Sequence, residues 1–153
     1  MGKKAAKSNR RRQSHARSGV LAQARRFEVF LSHATYDKWI AQVLCEKLER
    51  LGAQVHVWRD DRDIDGGDQI PDAIRKAIHD CDEFVVLLTP HSVTREWVLI
   101  ELGAAWHRGC RIVPLYYHVD PESVPNIIRD TRGFHLNELD DYLKGLKERI
   151  GKS

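Results

Sequence analysis

The chain has 153 residues, 42% hydrophobic and 31% charged, which suits one globular domain with enough apolar material for a core. Its formal net charge of +3 is unevenly placed: nine of the 25 Lys and Arg residues fall in residues 1–26, which hold no acid, and the remaining 16 face 22 acidic residues from Phe27 onward. No run approaches the roughly 18 apolar residues of a membrane span, and the basic tail lacks the apolar stretch of a secretory leader.

Residues 1–26 read as a basic, disordered and solvated tail. Nucleic acid or an anionic surface is the sharper alternative, through this tail only. A mitochondrial transit peptide has only compositional support. Cys45, Cys81 and Cys110 are odd in number. They fit buried thiols in a reducing cytosol, not a disulfide framework or a metal site. The expected location is therefore cytoplasmic, with no membrane partner.

From Phe27 onward short apolar runs alternate with helical stretches, which predicts a parallel sheet covered by helices. Phe27 to Ser32 is the first strand. Tyr36 to Leu51 follows as a helix with Trp39, Ile40, Val43, Leu44, Leu48 and Leu51 at helical spacing, and Gly52 as its C-cap. Gln54 to Trp58 is the second strand, and an acidic, glycine-containing loop runs from Arg59 to Asp68. Pro71 fits the first turn of the next helix, which carries Ile70, Ala73, Ile74, Ala77 and Ile78 and ends near Cys81. Glu83 to Leu88 is nearly all apolar and so predicts a central strand buried on both faces. Thr89 to Ser92 is a turn, with Ser92 as N-cap of a helix from Val93 to His107. Arg111 to Tyr117 is the fourth strand, placed nearer the edge by Pro114. Pro121 to Asp130 is a loop or short helix. Phe134 lies in a short last strand, and Asn137 caps a final helix through Ile150.

Right-handed crossovers put helices on both faces of such a sheet, and ligands in doubly wound folds sit beyond the carboxyl ends of the strands. That rule gathers four segments: Ser32-His33-Ala34, Arg59 to Gly67, Thr89 to Ser92, and Tyr117-His118. In the third helix Trp97 and Glu101 are four residues apart and share a face. An indole can stack on a flat base, and an apolar wall strengthens a carboxylate's field by excluding water. Spacing alone favours the ordinary alternative, a core Trp97 beside a solvated Glu101.

The loop Asp61-x-Asp63-x-Asp65-Gly66, with Asp72 at the twelfth position, nearly fits a calcium loop. It follows a strand instead of a helix, carries Asp68 where an apolar residue belongs, and has Pro71 at position eleven. A solvated surface loop is the plainer reading. A phosphoacceptor site of the response-regulator kind lacks its acidic pair after the first strand. His33 could face a ligand or cap the next helix. His79, His107 and His118 show no paired metal spacing. Glycine-rich phosphate loops, the nucleophile elbow and C-x-x-C are all absent from the sequence.

Together the segments resemble the Toll/interleukin-1 receptor (TIR) domain family, in its bacterial form, from Phe27 to about Ile150. The first box appears as Phe27-Glu-Val-Phe-Leu-Ser-His-Ala-Thr-Tyr-Asp-Lys38. The loop after strand two appears as Trp58-Arg-Asp-Asp61 with Ile64, Gly67 and Ile70. The helix box S-x-x-S-x-W-C-x-x-E appears as Ser92-Val-Thr-Arg-Glu-Trp-Val-Leu-Ile-Glu101, with Arg95 in place of the second Ser and Val98 in place of the Cys. The run Glu101 to Gly109 and Ile112-Val-Pro114 is like bacterial members.

The resemblance implies a flavodoxin-like doubly wound α/β fold, with about five parallel strands and helices on both faces. It implies cleavage of NAD+, as substrate and with no cofactor or metal, at the nicotinamide–ribose bond to give ADP-ribose or a cyclic isomer. Glu101 would be the essential glutamate. Trp97 would pack against substrate, Ser32, His33 and Ala34 would line the ribose–nicotinamide end, and Asp60, Asp61 and Gly67 would form a mobile gate. The family also contains adaptors that act by TIR–TIR self-association. Bacterial members often serve in anti-phage defence, depleting NAD+ or signalling to a separate effector. No sensor or effector module is visible in 153 residues, so either such partners are separate proteins or this chain is a fragment.

Overall fold

Side chains on a strand alternate between the two faces of a sheet, and that period of two sorts this core into two layers. The computed structural model describes residues 25–59 and 72–152. Among them five parallel strands form one sheet: β1 (Phe27–Ser32), β2 (Val55–Arg59), β3 (Glu83–Leu88), β4 (Arg111–Tyr116) and β5 (Phe134–His135), ordered β2-β1-β3-β4-β5. The helices are α1 (Lys38–Glu49), α2 (Asp72–Asp80), α3 (Glu96–Arg108) and α4 (Leu139–Ile150). Val29 and Leu31 of β1, with Val85 and Leu87 of β3, pack against α1 and α4 through Ile40, Leu44, Leu48, Tyr142 and Leu146. Phe30, Phe84, Val86 and Leu88 point the other way, onto Ile74 and Ile78 of α2 and Val98 and Leu102 of α3. Phe30 and Phe84 are register partners whose rings stack at 5.3 Å. Every residue of β3 is buried, as its apolar run predicts for a central strand.

Several local expectations are corrected. Trp39 and Val43 do not enter the core: Trp39 is 68% exposed, and α1 buries Ile40, Ala41, Leu44 and Leu48 instead. Helical spacing made both stripes available, and only one faces the sheet. Gly52 is not the cap of α1, which ends on Arg50 in ordinary right-handed conformation. The left-handed C-cap is Gly109, at φ 75°, after α3. Ser92 does not cap α3, because that helix begins at Glu96 with Arg95 at its N-cap. Nor is Asn137 the final cap. A short 3-10 turn, Leu136–Glu138, precedes α4, and the His135 N–H donates to Glu138 Oε2 at 3.0 Å. Pro114 sits in the penultimate strand, and β5 pairs only with Leu115 and Tyr116 beyond it. Here the chains lie close: a Cβ on Gly133 would stand 2.5 Å from the Pro114 carbonyl oxygen. Pro71 and Ile70 fall outside the described residues.

At the amino end of the sheet Glu83 is fully buried and needs partners there. Tyr142 Oη donates to Glu83 Oε1 at 2.8 Å, Arg149 donates through Nε at 3.0 Å and Nη2 at 3.1 Å, and Arg111 Nε lies 3.3 Å away. This network fastens α4 to β3 and β4. Burial, with the Glu83 charge next in weight, raises the Tyr142 phenol well above its ordinary range, so it stays a donor. Tyr142→Phe is expected to lower stability by about 1.5–3 kcal/mol, the range for a hydrogen bond to a charged group. The measurement is the urea midpoint at unchanged slope, and an unshifted midpoint contradicts the network's role.

Candidate functional site

In this strand order the chain leaves β1 to one side for β2 and returns to the other side as β3. The crevice beyond the carboxyl ends of β1 and β3 is therefore the topological switch point, where doubly wound folds bind ligands. Ser32 ends β1. It has the parity of Phe30, so it faces the layer of α2 and α3. There Ser32 Oγ donates to Glu101 Oε2 of α3 at 2.5 Å. Glu101 is 1% exposed and Ser32 wholly buried. The solvated-helix reading of Glu101 is thus overturned, because α3 turns this carboxylate inward with Val98, Leu102 and Ala105. When ionised, a carboxylate in so dry a place acts through a low local dielectric and exerts a stronger field than one in water.

His33 and Ala34 follow Ser32 and are both buried. His33 Nδ1 lies 2.9 Å from the Ala34 carbonyl oxygen, which fits a ring N–H donor. Trp97 is half-buried against the α2–α3 layer, one helical turn before Glu101. Asp60, Asp61 and Gly67, and the calcium-like loop around them, lie outside the described residues. Among the described residues no group of three or more His, Cys, Asp or Glu is arranged to hold a metal ion. Likewise no described helix is long and apolar enough to cross a membrane. At the carboxyl end of β4 the Tyr117 N–H donates to the Leu88 carbonyl at 2.9 Å, and His118 takes a left-handed φ of 53°.

Sequence reasoning missed the polar clasp across the switch point. Asp37, buried after β1, accepts from Thr89 Oγ1 at 2.6 Å. The same Thr89 oxygen accepts the N–H groups of His91 and Ser92, both at 3.1 Å. Ser92 Oγ in turn accepts the Thr89 N–H and donates to the Leu87 carbonyl, each at 2.8 Å. The hydroxyls thus close the turn in place of a helix cap, a habit of Ser and Thr that the segment Thr89-Pro90-His91-Ser92 made visible. At the rim Tyr36 stacks on His91 at 5.0 Å and lies under Arg95 at 5.7 Å.

A profile of the TIR domain matches residues 29–150. The chain is 25% identical over 127 residues to a probable 2′ cyclic ADP-D-ribose synthase of Brachypodium distachyon, covering 80% of this chain and 56% of that protein. It is 29% identical over 109 residues to an NAD(+) hydrolase of Paracoccus denitrificans, covering 68% of this chain and 36% of the relative. It thus spans about half, or less, of the length of these relatives. A metazoan TIR-STING receptor from C. gigas superposes with a TM-score of 0.63 at 22% identity, over 84% of this chain and 41% of the receptor. That likeness shows the same fold.

Thr89→Val removes the donor to Asp37 while keeping shape, and leaves a buried carboxylate short of a partner. A loss of about 1–3 kcal/mol in unfolding free energy is expected from chemical denaturation. Equal stability would show that the clasp contributes nothing to the fold.

Proposed function

This chain belongs to the TIR-domain family, and from that membership we propose that it cleaves NAD+ at the nicotinamide–ribose bond. The observation that carries the proposal is the buried Glu101 carboxylate, oriented by Ser32 Oγ at the β1–β3 switch point. The relatives named as a 2′ cyclic ADP-D-ribose synthase and an NAD(+) hydrolase support the same chemistry. In the proposed step the C1′–N bond breaks and its electron pair goes to the nicotinamide ring, which leaves neutral. Positive charge develops on the ribose as an oxocarbenium-like centre. A fixed carboxylate in a dry site stabilises that charge without having to reorganise. Water attack, with loss of a proton, gives ADP-ribose. Attack by the adenine base or its ribose hydroxyl gives a cyclic isomer. Trp97 packs against substrate, and His33 and Ala34 line the ribose–nicotinamide end. Asp60, Asp61 and Gly67 gate entry. The substrate supplies its own leaving-group charge, so the mechanism calls on no metal or cofactor. Family resemblance extends the proposal to cytoplasmic anti-phage defence, through NAD+ depletion or a product read by a separate effector.

One further observation favours self-association. Tyr36, Trp39 and Val43 form an exposed stripe that begins at the rim of the crevice, where Tyr36 meets His91 and Arg95. We take a second copy of the chain as its occupant. In the isolated chain Glu101 is almost sealed from water, so substrate reaches it only after an opening step. Docking beside the rim is suited to drive that step. If the chain is instead a non-catalytic adaptor, this stripe is its working surface and Glu101 is dispensable.

Glu101→Gln is expected to reduce nicotinamide release from NAD+ by about 100-fold or more, as lost transition-state charge stabilisation does. Chromatography of the reaction mixture measures it, with circular dichroism to confirm folding. Release by the folded variant equal to wild type refutes the assigned role. No release by wild type, dilute or assembled, leaves the adaptor reading in its place. Specific activity is further expected to rise with protein concentration, and Trp39→Glu to flatten that rise without changing the unfolding midpoint. A concentration-independent rate rules out activation by self-association.

A further inference from the structure

At the amino end of the sheet, opposite Glu101, two cysteines from separate helices meet. Cys81 follows α2 and Cys110 follows α3, just ahead of the paired strand starts Glu83 and Arg111. Their Sγ atoms are 3.3 Å apart, and both thiols are free. The pair is asymmetric. Cys81 is wholly buried, whereas Cys110 is half-buried and meets solvent first. Arg108 Nη1 donates to the Cys81 carbonyl oxygen at 2.8 Å, which places a fixed cation beside both sulfurs. The third cysteine, Cys45, packs in the other layer, against the α1–α4 core.

We propose that Cys81 and Cys110 form a reversible dithiol–disulfide site that reacts with low-molecular-weight disulfides such as oxidised glutathione. The Cys110 thiolate attacks one sulfur of the small disulfide and expels the first thiolate, forming a mixed disulfide on Cys110. Cys81 then loses its proton to the leaving thiolate or to water, and its sulfur attacks Cys110 Sγ. The second thiolate departs. In total two protein thiols are oxidised to one disulfide, and one small disulfide is reduced to two thiols.

The electrostatics assign these roles in the same order. The hydrogen bond shared with Cys81 holds the Cys110 thiol below its ordinary range against its burial, with the Arg108 charge helping. Sharing that proton, together with burial, pushes the Cys81 thiol far up. Cys110, which meets solvent, is therefore the attacking sulfur, and the wholly buried Cys81 is the resolving one. The disulfide would tie the end of α2 to the end of α3, the helix that carries Glu101.

The test treats the reduced 153-residue chain with oxidised glutathione, followed by intact mass and peptide mapping without reductant. The expected product is lighter by two hydrogen atoms, with the Cys81 and Cys110 peptides linked and Cys45 still open to iodoacetamide. Cys81→Ser should instead keep a stable glutathione adduct on Cys110, and Cys110→Ser should form no link. Alkylation of Cys110 in the reduced chain should set in at a lower pH than that of an ordinary thiol. Cys45, whose thiol is raised first by burial and then by Glu49, should label only at more alkaline pH. A lasting glutathione adduct on wild-type Cys110, or no reaction at either thiol, overturns the proposal. So does labelling of Cys110 and Cys45 over one pH range.

Discussion

The complete burial of β3 is the constraint on which the rest of this structure depends. A strand covered on both faces can expose polar groups only at its ends, so whatever polar chemistry the sheet centre has is pushed there. At the amino end Glu83 cannot reach water and is held by Tyr142, Arg149 and Arg111. At the carboxyl end Thr89 and Ser92 satisfy the turn and hold Asp37. The first set fastens α4 to the sheet. The second fixes the segment after β1 against the segment after β3, and so shapes the crevice between them. The two polar ends are thus consequences of one apolar strand.

The same constraint explains why Glu101 is a candidate for chemistry and why it is closed. Because α3 packs its apolar stripe on β3, any residue sharing that stripe is carried inward, and Glu101 lies between Val98 and Leu102 on it. Burying a carboxylate is costly unless donors meet it. Ser32 supplies one, from the neighbouring strand and with the parity that points it at α3. A carboxylate held in this way keeps its charge aimed at a fixed place, which suits a transition state that develops positive charge. A seal of this quality also keeps substrate out, which ties the proposed chemistry to movement at the rim.

Much of the fold was legible in the sequence, because each strand and helix had its own periodicity. β1, β3 and β4 fall where the apolar runs place them, and the nearly continuous run from Glu83 marks the centre of the sheet. Ser32 and Glu101 both stand out in the sequence, although spacing alone makes Glu101 look solvated. What decided it was the rotation of α3 about its axis, which tertiary packing sets and helical spacing does not. The same ambiguity leaves the side taken by Trp39 open in the sequence, and packing puts it at the surface. Helix caps are less legible. Ser92 and Asn137 have the right chemistry for helix starts, but the chain inserts a hydroxyl-closed turn before α3 and a 3-10 turn before α4. The Asp37–Thr89 and Cys81–Cys110 contacts span 52 and 29 residues and carry no local signature at all.

The two departures from the family's helix box can now be judged by what those side chains touch. Val98 is buried in the α2–α3 layer, where a small apolar residue fills the space a cysteine would. Arg95 stands at the N-cap of α3 and makes no side-chain cap, whereas a serine there would satisfy one of the helix's first N–H groups. Arg95 lies instead over the Tyr36 ring, at the rim of the crevice. The start of α3 therefore gives up a capping bond and gains a contact with the segment after β1. Glu101 sits more than a turn beyond Arg95 and is bonded to Ser32, while Val98 is one of the apolar neighbours that flank it. One departure falls on the rim and the other on the apolar wall beside the carboxylate, and the Ser32 hydroxyl that bonds Glu101 matches the family pattern.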